Sequence, residues 1–510
     1  MLVLAAALVT GTLNVGGFRG MGDNGDYPRI FGQAGLGFGP GGSNSSHRFV
    51  VRTYVDRPAT KTWREYPTSL MPVLWTARTL DRVVTGDDGR FDLRVLGLVY
   101  LAAFLALLYA LLRAGRRLDP RVRLGGALVG LLVLTDFAYI GYFHSLFSEP
   151  MGLLGLLATV AGGLLWAGSD RRSVPALVLL VGGGVVLGTS KTQYAPIAAT
   201  AAAVLLLVAL LDLRRRRRRR AAVAGLAGLA VLSGAAFSVL FAPAYLRPVQ
   251  LWEVTYLEVL PHAPDPVAAT RELGLDPELA AYSGRLAHGR FAPRVDPEFR
   301  KRFPTYVPTQ RAVLSYYASH PVQLAGLMWR GRSGLSEMRP PDIGTTTRGA
   351  PRGLPEITDR RDLWSDAKHA LGGFAIPYTA LVLGTALVAP LVAGVRERRR
   401  RRSDRPPRYG PGARGGLAVL AALSVAAVGQ YVAVLLTDGR WELVKHFYAF
   451  HLLTDLALLG LLVWAGSRLA GGEARRPAGV ATRLRRLRPG TAGDRHAESV
   501  RSSAQPRTSP

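Results

Sequence analysis

Near the start of the chain an eight-residue stretch, Gly22-Asp23-Asn24-Gly25-Asp26-Tyr27-Pro28-Arg29, sets two carboxylates three residues apart in a turn-forming Asx, Gly and Pro context and follows them with a cation. Such a pair can take a proton or grip a cation through oxygen ligands, although the same composition also makes an ordinary solvated turn. Three further stretches carry a comparable mixture. His144-Ser145-Leu146-Phe147-Ser148-Glu149-Pro150 places an acid just ahead of a proline, where a carboxylate interacts favourably with a helix N-terminus. Ser190-Lys191-Thr192-Gln193-Tyr194 holds one of five lysines among 64 basic side chains, and that scarcity favours phosphate binding over simple snorkelling to headgroups. The stretch Asp438-Gly439-Arg440-Trp441-Glu442-Leu443-Val444-Lys445-His446-Phe447-Tyr448 packs acids, cations, an imidazole and aromatics together. On a helix Glu442 and His446 would share a face and pair; the alternative is an interfacial anchor belt.

The elements that must position these turns are apolar. The chain has 510 residues, 49% of them hydrophobic, and alternates apolar runs of membrane-spanning length with arginine runs, the pattern of an all-α polytopic membrane protein. We expect about ten spans: 2–17, short enough to suggest a truncated start, then 93–112, 124–143, 151–168, 174–189, 195–213, 221–242, 370–394, 415–436 and 448–467. Arginines end these runs at Arg113 to Arg123, Asp170-Arg171-Arg172, Arg214 to Arg220 and Arg396 to Arg402. Ten spans place every such run, and both termini, on the cytoplasmic side by the positive-inside rule. The four polar turns and a 125-residue loop, Pro243 to Ala367, then share the outer face. The chain divides into an N-terminal membrane module, 1–242, containing the first outer loop, 18–92 with Trp63, Tyr66 and Trp75; the large loop, 243–367; C-terminal helices, 368–470; and a basic tail, 471–510, of disordered composition. In the large loop, 267–283 has helical patches, and 310–329 suits a helix lying on the membrane surface.

A formal net charge of +29 would suggest nucleic acid in a soluble protein, but here the basic residues punctuate apolar segments and fill a tail. We expect no nucleic-acid partner. The absence of cysteine excludes disulfides, thiol catalysis and cysteine-ligated metals. There is no Walker motif, no His-x-x-x-His and no Gly-x-Ser-x-Gly; Gly182-Gly183-Gly184 lies within an apolar run and reads as helix packing. Asp136 and Asp455 lie roughly 10 Å inside their spans and should face the bundle interior with partners, His451 being available to Asp455.

The acids behind the first span, here Asp23 and Asp26, and a bundle of this size resemble the GT-C superfamily of integral membrane glycosyltransferases. The Ser-Leu-Phe-Ser-Glu-Pro turn, the Ser-Lys-Thr-Gln-Tyr turn, the Lys-His-Phe-Tyr-Ala-Phe-His-Leu-Leu-Thr-Asp segment and the Glu-Leu-Gly-Leu-Asp segment at 272–276 are also similar to those of a group of Gram-positive membrane proteins of the same layout. The resemblance covers most of residues 1–470. It implies a bacterial cell-membrane enzyme that moves a sugar from a polyprenyl-phosphate donor in the outer leaflet to the hydroxyl of an extracytoplasmic glycan, glycolipid or protein, usually with inversion. The acids here form Asp-x-x-Asp instead of an adjacent pair, which leaves open which one is catalytic.

On that reading Asp23 or Asp26 is the general base, and Lys191, with Lys445 or His446, stabilises charge on the leaving phosphate. Arg29 serves either part, with Gln193 and Glu442 lining the substrate. Glu149 orients the acceptor or, with Asp23, holds a divalent cation. The large loop closes over the acceptor. Two other classes compete: a lipid-linked glycan flippase or transporter, which needs charges along a path through the bilayer midplane, and a non-catalytic envelope protein whose loops are docking surfaces.

Overall fold

The computed structural model describes residues 1–39, 49–60, 67–86, 88–169, 173–244, 246–287, 302–348, 357, 362–403 and 411–473. Trp63, Tyr66, the Asp170-Arg171-Arg172 run and 474–510 of the basic tail lie outside them.

The apolar runs are helices, as expected. The chain opens with α1 (Leu2–Asn14), and its first long loop holds α2 (Pro28–Ala34), β1 (Leu36–Gly37), β2 (Thr53–Asp56), α3 (Leu70–Thr85) and β3 (Arg90–Asp92). The bundle continues with α4 (Leu93–Ala114), α5 (Pro120–Leu134), α6 (Phe137–Ile140), α7 (Glu149–Gly168), α8 (Val174–Ser190), α9 (Ala195–Arg214) and α10 (Arg218–Leu240). The large loop contains α11 (Leu246–Val254), α12 (Pro266–Glu272), α13 (Gln310–Ser319), α14 (Pro321–Arg330) and α15 (Leu363–His369). It returns to α16 (Ala375–Arg402), α17 (Pro411–Thr437), the single turn α18 (Leu443–His446) and α19 (Tyr448–Glu473).

Among the described residues seven helices are long and apolar enough to cross a membrane, or eight if α5 and the Phe137–His144 segment form one broken span. All ten expected runs are helical, and the ones outside this set are the two shortest. The runs at 2–17 and 174–189 are helical, but α1 has 13 residues and α8 has 17, roughly 20 and 26 Å at 1.5 Å per residue, against a core of about 30 Å. The third run is not straight either: it bends by 59° where Asp136 leaves the helix and caps α6, its side chain accepting from Ala138 N at 2.9 Å. The surface helix expected at 310–329 is two helices, divided at His320-Pro321. A small antiparallel sheet in the first loop, order β1-β2-β3, was not expected.

At the centre stands α7, with 72% of its apolar window buried against 28% for α4. Glycines let its neighbours approach to backbone contact. A Cβ on Gly155 would lie 2.7 Å from Leu187 N, and one on Gly183 would lie 2.6 Å from Thr159 N, so α7 and α8 cross with nothing between them. Gly188 meets α10 in the same way, 2.8 Å from Ala235 N. This is the packing role anticipated for the Gly182-Gly183-Gly184 run, although Gly182 itself meets open space.

Two buried aspartates pin the large loop to the bundle. Asp136 accepts from Trp364 N and Ser365 N at 3.0 Å each and from Ser365 Oγ at 2.9 Å, which fixes the start of α15. Asp455 accepts from Lys368 Nζ at 2.9 Å, Trp364 Nε1 at 2.7 Å and Tyr139 Oη at 2.6 Å. Both acids therefore face inward with partners, but His451 is not the direct partner of Asp455. Lys368 stands between them, its Nζ 3.0 Å from His451 Nδ1. A buried carboxylate needs a charge-balancing cation, which a neutral imidazole does not supply.

Candidate functional site

The first loop reaches the bundle on a fixed lead. Arg19 caps the end of α1 by donating to Thr12 O at 3.1 Å and Val15 O at 2.7 Å. Gly20 N and Gly22 N then donate to Thr345 O and Gly344 O, at 3.1 and 2.8 Å, so the large loop holds this strand in place. A Cβ on Gly20 would collide with His144, whose ring stacks on Phe18 with centroids 4.5 Å apart.

Downstream of that lead, five segments close around a cavity of about 350 Å³. The first loop contributes Asn24, Asp26 and Arg29; the turn before α7 contributes Phe147 and Glu149; the turn after α8 contributes Lys191 and Gln193. From the large loop α11 adds Gln250 and Glu253, and the turn after α17 adds Asp438, Trp441, Glu442, Lys445 and His446. Asp26, Arg29, Glu149, Lys191, Gln193, Glu442, Lys445 and His446 are thereby brought together. Asp23 is not. It is buried behind the wall, its Oδ1 accepting from Gly25 N at 2.7 Å and Tyr27 N at 3.1 Å, and it does not line the cavity.

The charges are interleaved. Lys445 Nζ donates to Asp26 Oδ2 and lies 3.4 Å from Glu442 Oε2, while Arg29 Nη1 holds Asp26 Oδ1 at 2.8 Å. Lys191 Nζ donates to Glu149 Oε1 at 2.9 Å. The ring of Phe147 lies under Lys445, its centroid 4.9 Å from Nζ. Burial works to raise the Asp26 carboxyl, but the charges of Arg29, Lys445 and Lys191 outweigh it and hold it well below the usual carboxylate range. Burial likewise works to lower Lys445, and Asp26 with Glu442 carries it the other way, above its ordinary value. Burial raises Asp23 against its two backbone N–H bonds and pushes His446 down. Glu253 is raised to about 9 by burial first and then by the charges of Asp438 and Glu442.

The expected pairing of Glu442 with His446 does not form. Glu442 precedes α18 in left-handed backbone, φ 47°, so its side chain leaves the helical face; it accepts instead from Asn24 Nδ2 at 3.0 Å. His446 Nδ1 donates to Gln193 Oε1 at 2.9 Å. A non-glycine residue in this region is strained by about 1–3 kcal/mol and is typical of functional sites.

Three buried polar atoms on the lining residues have no hydrogen-bond partner: Glu149 Oε2, Gln193 Nε2 and Asn24 Oδ1. Left dry, each would cost about 1–3 kcal/mol, so the wall is built for a ligand or solvent that both donates and accepts. Among the described residues no group of three or more His, Asp or Glu side chains is arranged to hold a metal ion, and of the pair considered for a cation, Asp23 and Glu149, only Glu149 faces the cavity.

Gln250 and Glu253 were missed in the sequence because α11 carries no motif. Its placement depends on distant contacts: Gln250 Nε2 donates to Asp438 Oδ1 at 2.7 Å, and Arg440 Nε donates to Glu258 Oε1 at 2.7 Å. The one local signal is Glu253 itself, an acid beside Trp252 in an otherwise apolar turn. The Glu-Leu-Gly-Leu-Asp segment at 272–276 contributes no lining residue.

No curated protein and no solved structure matches the chain significantly. A family model does, over residues 1–475, and with the helical bundle described above it establishes that this membrane protein belongs to the YfdI N-terminal transmembrane domain family.

Proposed function

We propose that the protein is a glycosyltransferase of the bacterial cell membrane, moving a sugar from a polyprenyl-phosphate donor to an acceptor hydroxyl in the cavity, on the extracytoplasmic side. The observation that carries this reading is the meeting, in one small cavity at a helix-bundle end, of two lysine–carboxylate pairs and three unpartnered polar atoms. Sugar hydroxyls both donate and accept, and so suit Glu149 Oε2, Gln193 Nε2 and Asn24 Oδ1 together. At about 350 Å³ the cavity is near the lower end of the range for small-molecule sites, roughly 300–1,000 Å³.

Both lysines are paired with carboxylates, and this pairing gives the reaction an order. A donor phosphate draws Lys445 and Lys191 away from Asp26 and Glu149, because a phosphate offers more charge and more acceptor oxygens than a carboxylate. Asp26, relieved of Lys445, keeps Arg29 on Oδ1 and has Oδ2 free to accept a proton; Glu149 Oε2 orients the acceptor hydroxyl. The acceptor oxygen then forms its bond to the anomeric carbon as the carbon–oxygen bond to phosphate breaks. The electron pair leaves with the lipid phosphate, where the lysines stabilise it, and the hydroxyl proton passes to Asp26. Of the two first-loop acids Asp26 takes this role because it faces the cavity, whereas Asp23 holds the turn that presents it.

The test is transfer by the protein reconstituted in liposomes with a panel of radiolabelled polyprenyl-phosphate sugars. Asp26→Asn should lower turnover by about 10²- to 10⁴-fold per folded molecule, the folded fraction being read from the thermal midpoint because the variant leaves the buried Lys445 with Glu442 alone. A wild-type protein that carries the intact lipid-linked sugar across the bilayer and makes no product would instead indicate a flippase; full turnover by Asp26→Asn would remove Asp26 as the base.

A further inference from the structure

A second cavity, of about 550 Å³, lies at the other end of the bundle, between α16 and α19. One wall is a largely apolar face of α16 that includes Leu381, Gly384, Val388 and Ala389, and the other wall carries Trp464 and Arg468. It is charged at one end only, where Arg396 and Arg468 both line it. The Arg468 guanidinium lies 5.1 Å from the centroid of the Trp464 ring, which holds it at the groove. Nothing fills the space above Gly384: a Cβ there would meet no atom within 4 Å. Trp464 Nε1 is buried without a hydrogen-bond partner. Glu397, the acid next to Arg396, is engaged by Arg414 Nη2 at 3.4 Å.

We propose that this groove binds one anionic glycerophospholipid, its phosphate between Arg396 and Arg468 and one acyl chain along the apolar face of α16. Two guanidiniums at the polar end match a phosphodiester. From Arg396 to Gly384 is twelve residues, roughly 18 Å along the helix, slightly more than the half-thickness of a hydrocarbon core of about 30 Å. A chain anchored at the arginines therefore runs past Ala389 to the open space at Gly384. A second copy of this protein fits the groove poorly, because a copy inserted the same way round would bring its own arginine-rich end of α16 to the same depth. Like charges would then oppose one another.

Native mass spectrometry of the detergent-purified full chain, with phosphatidylglycerol or phosphatidylcholine added, tests the assignment. One phosphatidylglycerol should be retained at least tenfold more strongly than phosphatidylcholine. Arg396→Gln with Arg468→Gln should abolish that preference, whereas Arg113→Gln with Arg116→Gln, which removes the same charge at the same end, should preserve it. Gly384→Leu, which fills open space, should weaken retention severalfold in a folded protein. Equal retention of the two lipids, equal loss in the control pair, displacement by millimolar inorganic phosphate, or a dimer in place of a lipid adduct would each overturn the proposal.

Discussion

Asp23 and Asp26 are alike in type and three residues apart, yet they face different surroundings. Asp23 spends its carboxylate on the backbone of its own turn, and Asp26 stands in the cavity between two cations. The sequence shows that a carboxylate pair follows the first apolar run; which member reaches the cavity depends on how Arg19, His144 and the large-loop segment 344–346 lead the loop in. Glu253 is a residue that sequence reading passed over, and it makes a pH prediction. Its value in the folded protein, about 9, lies above the ordinary 4.5, so the folded state keeps a proton that the unfolded chain releases. The stability carried by that proton is whole below about 4.5 and is lost as pH rises through about 9. Across that window the thermal midpoint of the purified protein should decline, and Glu253→Gln, which cannot ionise, should flatten the decline. An unchanged slope in the variant would place the titration elsewhere.

At the scale of elements, apolar length and charge punctuation are enough to locate the helices, because lipid requires each span to satisfy its own backbone. They do not reveal where a span breaks. The bend at Asp136 follows from its bonds to Trp364 and Ser365, residues more than two hundred positions away. The short helix α15 is therefore a staple between the large loop and the bundle, and Lys368, 2% exposed beside the fully buried Asp455, is its charged pin. Removing one partner of such a buried pair costs about 3–5 kcal/mol, since the other is left uncompensated. Lys368→Met should accordingly lower the thermal midpoint and speed amide exchange over 363–369, and adding Asp455→Asn should restore much of both. If the single variant exchanged like wild type, the staple would have no part in holding the loop.

For the whole molecule, the topology sets the cavity and the arginine runs at opposite ends. The helix α7 starts at the cavity with Glu149 and ends at Gly168, whose Cα lies 3.8 Å from where a Cβ on Gly412 would sit; α17 then returns from that end to Asp438 at the cavity. We propose that the cavity end is extracytoplasmic, following the positive-inside rule. Because the chain has no cysteine, single introduced thiols report the side directly. A membrane-impermeant maleimide should label Glu278→Cys, exposed in the large loop, on intact cells, and Arg116→Cys, exposed between α4 and α5, only after permeabilisation. The reverse pattern would invert the proposed orientation and put the cavity in reach of cytoplasmic substrates. The gathering of distant turns at one bundle end could be anticipated from the alternation of spans; the enclosure of that gathering by α11 could not, since it is made by tertiary contacts alone.

The proposed activity requires the cavity to hold a lipid phosphate carrying a sugar, and a structure of the protein in nanodiscs with a polyprenyl-phosphate monosaccharide tests that directly. We expect the phosphate between Lys191 and Lys445, the lysines turned away from Glu149 and Asp26, and the sugar against Asn24 and Gln193. A donor bound elsewhere on the molecule, with both lysine–carboxylate pairs intact and the cavity holding only water, would contradict it.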